Sequence, residues 1–501
     1  MPRPTLFRLL VQERRWDNWA VFCEHFERAA REAAVKLSSP RLAGVTAGRR
    51  TFDRWFSGDW CGRPQRDAAR VIEHLLGFSC AELFSPAPDV FGAATAVHDR
   101  GGLAASLAIS ARWPTSRLFM SATGDVADWW ELAGRNVLDG TTTAVQFHPA
   151  AAGDGTVRIT VDDTGALRRF LRPARRGLLV AVDEQATEMK LYVVDSWNAR
   201  RALVSYPSPE AMLALPAAHE LDDLTYGILW SLIQLDDGLL ADDQALEEER
   251  RVMDACLPLP RSAVSRETCR ELTAVGAGWL GSAFCAQHVQ RRLDGASEPP
   301  VFWTREQTGE QAAAWLFFQH KLAYLRSLAD RFAGVPVVMS RTFCIPENEV
   351  VRSGRYERIL LFLAIALMEL YGIRIQVTVR PEYSSVDGFA LVTGQRAVVA
   401  NWVRTEALWR ADTITARSDV RAYQEIVNDA SSASVVDGPS PVSRLRALSG
   451  YLEIDWRWLV RRCRSLSASG VGGLARPRSR LITLDALDQA LHFVGTLPPD
   501  S

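Results

Sequence analysis

The sequence predicts a multidomain α+β protein with an all-α head, an α/β body and a helical tail. Three observations predict it. A chain of 501 residues exceeds what one hydrophobic core organises, so two to four domains are expected. The first 84 residues show apolar residues at helical spacing, broken by short turn-forming stretches. From Arg117 onward short aromatic and β-branched runs alternate with helical stretches, and helical patterning returns after Val442. The expected layout is a head over 1–84, a linker over 85–112, and a first α/β half over 113–215. A helical insertion over 216–332, a second α/β half over 333–427, a linker over 428–441 and a basic helical region over 442–501 complete it.

Composition sets the broad class. With 48% apolar and 23% charged residues the chain reads as an ordinary globular protein, and a net charge of −1 argues against a polyanion binder along its whole length. Charge is uneven, however. Residues 1–80 hold 14 Lys+Arg against 9 Asp+Glu, an excess of +5 suited to phosphate neutralisation. The eight cysteines form no CxxC and no paired His spacing, which predicts neither zinc nor a disulfide framework. The first residues, MPRPTLFRLLVQERR, lack an apolar signal core, and the longest apolar run, Ile359 to Tyr371, is too short to span a bilayer. A cytoplasmic protein without membrane contact is expected.

In the head, Leu6, Leu9 and Leu10 suit a first amphipathic helix. Asp17 offers a cap to a second, which runs through Phe22 and Phe26 to about Leu37. After Ser38-Ser39-Pro40 comes the stretch GVTAGRRTFDRWFSG, a turn and then a short helix. Thr46 is expected to cap it, Arg49, Arg50, Asp53 and Arg54 to form its polar face, and Phe52, Trp55 and Phe56 its apolar side. Gly58-Asp59 should close it. Pro64 opens a fourth helix with Val71, Ile72, Leu75 and Leu76 on one face, ended by Gly77.

This order of parts resembles the xenobiotic-response-element (XRE) or Cro/repressor type of helix-turn-helix domain, on the RWFSG ending and the Pro-started helix closing in LLGFSCAELF. The resemblance implies that Thr46, Gly48, Arg49, Arg50, Thr51, Asp53 and Arg54 meet double-stranded DNA, with Trp55 as anchor. Two departures stand out: helix 2 is long, and the turn from Leu37 to Thr46 is stretched.

In the body, Leu118 to Met120 is expected as a strand, Asp125 to Arg135 as a helix and Thr141 to Phe147 as a strand. Gly177 to Val182 and Met189 to Asp195 follow as strands, with Arg201 to Tyr206 returning across a Ser196 to Ala199 turn. Val335 to Met339 reads as a strand, Tyr356 to Tyr371 as a helix and Gly372 to Val379 as a strand. Gly388 to Trp402 reads as a hairpin turning at Thr393-Gly394-Gln395. MKLYVVDSWNARRALVSY and GFALVTGQRAVVANW share a strand, turn, Arg-Ala, strand pattern, read as an internal duplication. Two such halves loosely resemble the phospholipase-D-like superfamily. Both copies of its His-x-Lys-x4-Asp motif are missing, because His320-Lys321 lacks the intervening residue, so the resemblance implies a catalytically silent body.

Three Asp pairs, Asp222/Asp223, Asp236/Asp237 and Asp242/Asp243, punctuate an apolar helix. Asp222 and Asp236 are fourteen residues apart, about 21 Å along one helix, too far to share a Mg²⁺. Asp222 is expected to cap the helix, and Asp236 to Asp243 to form its solvated end. Val301 to Gln307 and Ala312 to Tyr324 read as helical core. The tail interleaves Arg444, Arg446, Arg457, Arg461, Arg462 and Arg464 with Trp456 and Trp458. It suits docking on the acidic insertion or dimerisation, with a second DNA surface as the remaining option.

No GxSxG, glycine phosphate loop or HExxH occurs, so neither a catalytic residue nor a cofactor is expected. The runs LDDLTYGILW, PVFWTREQ, RTFCIPE and VVANWVR make the whole chain similar to large actinobacterial proteins with an XRE-type head. That resemblance implies a transcriptional regulator. The expectation is a homodimer associated with the nucleoid, its body free to take a small-molecule effector. A phosphodiester-processing enzyme using Asp236 or His320, and an assembly module that binds no DNA, are the alternatives.

Overall fold

The computed structural model describes residues 5–13, 16, 18–36, 39–57, 64–76, 80–85, 100–119, 128–160, 167, 170–171, 176–184, 189–205 and 213–499. The chain forms two compact units, Met1–His98 and Asp99–Ser501. It mixes helices with two multi-stranded sheets. No helix among the described residues is long and apolar enough to cross a membrane.

The first unit is helical among its described residues: α1 Leu6–Glu13, α2 Trp19–Lys36, α3 Arg49–Ser57, α4 Arg66–Leu76 and the single turn α5 Cys80–Leu83. Aromatic burial holds it together. Phe7, Phe22, Phe26, Phe52 and Trp55 are all at most 2% exposed, and each contributes on the order of 1.5–3 kcal/mol by leaving water. The stretched turn before α3 is filled by a 3-10 segment, Pro40–Gly44, whose Leu42 packs on Ala33 and Ala34 of α2. Trp19 Nε1 and Cys23 Sγ both donate to the Ala47 carbonyl at 3.0 Å, which pins the end of that turn to α2. The expected cap at Asp17 and stops at Gly58-Asp59 and Gly77 lie outside the described residues.

The second unit begins with α6 Arg100–Arg112, helix where a linker was expected. Its first sheet contains β1 Ser116–Phe119, β2 Asp128–Leu132, β3 Thr141–Gly153, β4 Thr156–Ile159, β5 Gly177–Asp183, β6 Lys190–Asp195 and β7 Leu213–Pro216. β3 is its axis, antiparallel to β2 and β4 and parallel to β5. Two expectations fail here. Asp128 to Leu132 is strand, not helix: Trp130 and Leu132 point inward at period 2, and pairing to β1 and β3 on both sides overrides a pattern that two adjacent tryptophans leave ambiguous. Residues 125–127 lie outside the described residues. Ser196 to Ser205 is a helix, α7, not the turn and return strand of a hairpin. Asp195 Oδ1 accepts from Asn198 N at 2.8 Å, the geometry of an N-cap three residues before its partner. With that hairpin gone, the two stretches read as a duplication fold differently, one as strand and helix and the other as a hairpin.

The segment expected as a helical insertion contributes α8 Asp223–Ala241, α9 Asp243–Cys256, β8 Arg261–Ser265, α10 Ala274–Arg292, β9 Val301–Thr304, α11 Gly309–Phe317 and α12 Gln319–Arg331. After it come β10 Ser340–Cys344, α13 Glu347–Arg352, α14 Arg355–Leu370, β11 Arg374–Thr378, β12 Phe389–Val392, β13 Arg396–Asn401 and β14 Ala407–Ile414. The second sheet runs β11-β10-β9-β12-β13-β14-β8, parallel from β11 to β9 and antiparallel beyond. The run at Val301, read as helix, is therefore an interior strand of this sheet. It is short and flanked on both sides, so continuous apolar character replaces alternation. The strand expected at Val335 to Met339 forms later, as β10. Pro336 has no amide to donate, and Val337 and Val338 stay 49% and 63% exposed. The hairpin at Gly394 forms as expected, with Gly394 at φ +68°.

α14 is the apolar helix expected at Tyr356 to Tyr371, and Ile359 through Met368 are all at most 2% exposed. It packs against α8 and α11. The expected flexible linker at 428–441 is ordered instead: α15 Arg417–Ser432 runs into it, Val435 N donates to Val377 O at 2.9 Å, and Val436 is buried. Three helices close the chain: α16 Pro441–Tyr451 with a Ser440/Ser443 capping box, α17 Trp456–Ser469 and α18 Asp485–Thr496.

Candidate functional site

α3 has two unlike faces. Arg49, Arg50, Asp53, Arg54 and Ser57 recur at one- and four-residue steps and share one exposed side, while Phe52 and Trp55 turn inward. Phe52 lies 4.8 Å from Phe22, and Trp55 lies 6.0 Å from Phe7 and 6.2 Å from Phe26, ring centre to ring centre. Thr46 does not cap this helix. Its start falls at Arg49, and the Gly48 carbonyl accepts from Thr51 N and Phe52 N at 2.8 and 3.0 Å, so Gly48 occupies the cap position. Thr46, Gly48 and Thr51 are exposed beside the arginines. Arg49 is within 4.0 Å of Asp53, whereas Arg50 and Arg54 form no ion pair among the described residues.

The acidic pairs of α8 are engaged by arginines. Asp222 caps the helix through Thr225 N at 3.1 Å, as expected, and pairs with Arg462 of α17. Asp223 accepts from Trp113 Nε1 at 2.9 Å and faces Arg112 at 3.2 Å. Asp236 is not at a solvated end. Its side chain is fully buried, paired with Arg176, and takes backbone N–H bonds from Arg478 at 2.8 Å and Ser479 at 2.7 Å. Arg478 also pairs with Asp237, and Arg480 reaches Asp243 at 3.1 Å. Basic tail and acidic helix thus dock within this unit. Among the described residues no group of three or more His, Cys, Asp or Glu side chains is placed to hold a metal ion.

His320 lies on α12 against Ser282 of α10. Its Nε2 is 2.9 Å from Ser282 Oγ, and burial holds its pKa well below the ordinary histidine value.

A third feature escaped the sequence reading. At the end of β9, a cavity of about 60 Å³ is lined by Thr304, Arg305 and Glu306, by Trp315 of α11, by Lys321 and Tyr324 of α12, and by Arg341 of β10. Lys321, Arg341 and Glu306 are 5%, 5% and 6% exposed. Lys321 Nζ sits 3.8 Å from the Trp315 ring centre and 3.9 Å from Glu306 Oε1, which also accepts from Trp315 Nε1 at 3.2 Å. Arg341 Nη1 donates to Thr304 Oγ1 at 2.6 Å, and its guanidinium lies 4.5 Å from the Phe302 ring and 4.9 Å from that of Trp315. Its Nε and Nη2 complete no hydrogen bond of full geometry, with the Tyr324 phenol beside them. Arg305 is paired with Asp387 at 2.9 Å.

Charge is unbalanced in this cavity. Two buried cations, Lys321 and Arg341, meet one buried carboxylate, Glu306, which leaves one positive charge over, while Arg305 at the edge shares Asp387 with Arg410. Burial pulls Lys321 down to about 8, with Glu306 opposing and Arg341 reinforcing the shift. Burial also lifts Cys285 and Tyr324 to about 12, so both stay neutral and supply no counter-charge at ordinary pH. A signal was present in the sequence. Lys321 shares a helical face with Leu325 and Leu328, and Arg341 alternates with Phe343, so each cation falls on an otherwise buried stripe.

Comparison with family models, with curated proteins and with solved structures finds no match for this chain, so its function is read from these side chains.

Proposed function

We propose that this chain binds double-stranded DNA through a helix-turn-helix unit formed by residues 6–84, with α3 entering a major groove, and regulates transcription as a nucleoid-associated cytoplasmic homodimer. The single observation that carries the reading is the two-sidedness of α3. All seven candidate DNA-facing residues are exposed, while Phe52 and Trp55 on the opposite side are 2% exposed. Guanidinium forks held on an anchored helix meet phosphates and guanine edges, and Arg50 and Arg54 pair with no acid among the described residues. Dimerisation belongs to the reading because one small unit of this kind touches too few base pairs for useful specificity. The remaining 400 or so residues would supply assembly or effector response.

Fluorescence anisotropy with duplex DNA drawn from upstream of the protein's own gene, at two salt concentrations, tests it. Arg49→Ala, Arg50→Ala and Arg54→Ala should each weaken binding and lower the salt slope by about 1 for every phosphate left unneutralised. Binding that is absent in the parent, or unchanged in all three variants, overturns the reading.

A further inference from the structure

We propose that the cavity at the end of β9 binds a small monocarboxylate, its carboxylate held between the Arg341 guanidinium and the Lys321 ammonium. The inference is independent of whether residues 6–84 bind DNA.

Three observations carry it. First, the surplus positive charge is buried. An ion withdrawn from water without a counter-ion is costly, and the one missing charge matches one carboxylate better than a phosphate dianion. Second, the protein shows elsewhere how such a guanidinium is satisfied. The Nε and Nη2 edge of Arg444, also buried, takes both oxygens of Glu369 at 2.7 and 2.6 Å. The same edge of Arg341 meets no acid among the described residues, although Thr304 and two aromatic rings fix the guanidinium in place. Third, the remaining walls are mostly apolar, aromatic and aliphatic together, and the space is small. Allowing ~10–15 Å³ per water on this measure, the cavity takes a few waters or a carboxylate with a short or flat apolar remainder. Trp315 and Trp402 flank the Lys321 ammonium at 3.8 and 5.6 Å, so a ligand there sits against two fluorophores.

Binding should require the charged lysine. The titratable and charged groups facing Lys321 are Glu306, Arg341, Cys285, Tyr324 and the neighbouring His320. Cys285 and Tyr324, lifted to about 12, and His320, held well below its ordinary value, stay neutral between pH 7 and 9, and a guanidinium keeps its proton there. Affinity should therefore fall as pH rises through about 8.

The test is titration of the full chain with acetate, pyruvate, benzoate and inorganic phosphate at constant ionic strength, read by tryptophan fluorescence and by thermal unfolding. The expected result is a saturable response to at least one carboxylate. It should weaken at least tenfold in Arg341→Gln and in Lys321→Met, and weaken in the parent from pH 7 to pH 9. No saturable response to any of the three carboxylates overturns the proposal. So does a response unchanged in both variants, or one in which phosphate binds more tightly than every carboxylate. Should either variant fail to fold, the titration of the parent and its pH dependence decide by themselves.

Discussion

Arg444 holds Glu369 side-on, Nε to one carboxylate oxygen at 2.7 Å and Nη2 to the other at 2.6 Å, with both side chains buried. The same carboxylate accepts from Ile375 N at 3.0 Å, so one residue ties α14, β11 and α16 together. Removing either member leaves the other charge buried alone. Arg444→Leu or Glu369→Leu should each cost about 3–5 kcal/mol in urea denaturation, whereas the double variant Arg444→Leu/Glu369→Leu should cost less than the two added. Single-variant losses below about 1 kcal/mol would show that the pair is not needed.

Asp236 should behave as a structural anion and not as a metal ligand. Asp236→Asn keeps the shape but leaves the buried Arg176 without its acid, and a loss of about 3–5 kcal/mol is expected. Millimolar Mg²⁺ should leave the melting temperature of the parent unchanged, since Arg176, Arg478 and two backbone amides already occupy both oxygens. A Mg²⁺-dependent rise in melting temperature that Asp236→Asn abolishes would refute this.

Glu357 predicts an acid-side stability gain. Burial raises its pKa from 4.5 to about 6, opposed by Arg135 at 3.2 Å and reinforced by Glu310. A carboxyl raised in the folded state binds its proton more tightly there than in the unfolded chain. Its contribution is therefore complete below pH 4.5 and lost as pH rises through 6, a change of about 2 kcal/mol. Glu357→Gln should flatten the stability profile over that window. An identical profile in variant and parent would assign the slope elsewhere.

In the first unit, Phe52→Ala or Trp55→Ala removes an aromatic ring from a closed cluster and should cost about 3–5 kcal/mol. Hydrogen exchange should quicken in α1 to α4 and remain unchanged in α14. Unaltered protection in α2 and α3 would mean that these rings do not support the unit.

Much of this fold was legible because its signals are local. α14 was readable from a long apolar run, and the β12–β13 hairpin from a glycine in its turn. The cap at Asp222 was equally plain, and so was the two-sided character of α3. What failed depends on partners distant in sequence. Asp128 to Leu132 and Val301 to Thr304 are strands because neighbours pair with them on both sides, and nothing in so short a run distinguishes that from a buried helix. Asp195 looks like the edge of a turn because an aspartate three residues before an amide serves a turn and a helix cap alike. Asp236 looked solvated because Arg176 lies sixty positions before it and Arg478 more than two hundred after. The cavity at Lys321 draws on six separate stretches, and only the misplaced charges on two apolar stripes hinted at it.

The pairing of Asp222 with Arg462 also sets a timetable for synthesis. The two are separated by 240 positions, so at ~5–20 residues per second a ribosome needs on the order of 10–50 s to deliver the arginine after the aspartate. Throughout that interval the nascent α8 carries carboxylates whose cations have not yet been made, on a helix too apolar to remain bare in water. The first unit, whose aromatic cluster is complete by Phe84, has no such wait. Chaperone occupancy on translating ribosomes should accordingly concentrate on lengths between these two events, and a pause engineered there should lower yield more than one placed soon after residue 85.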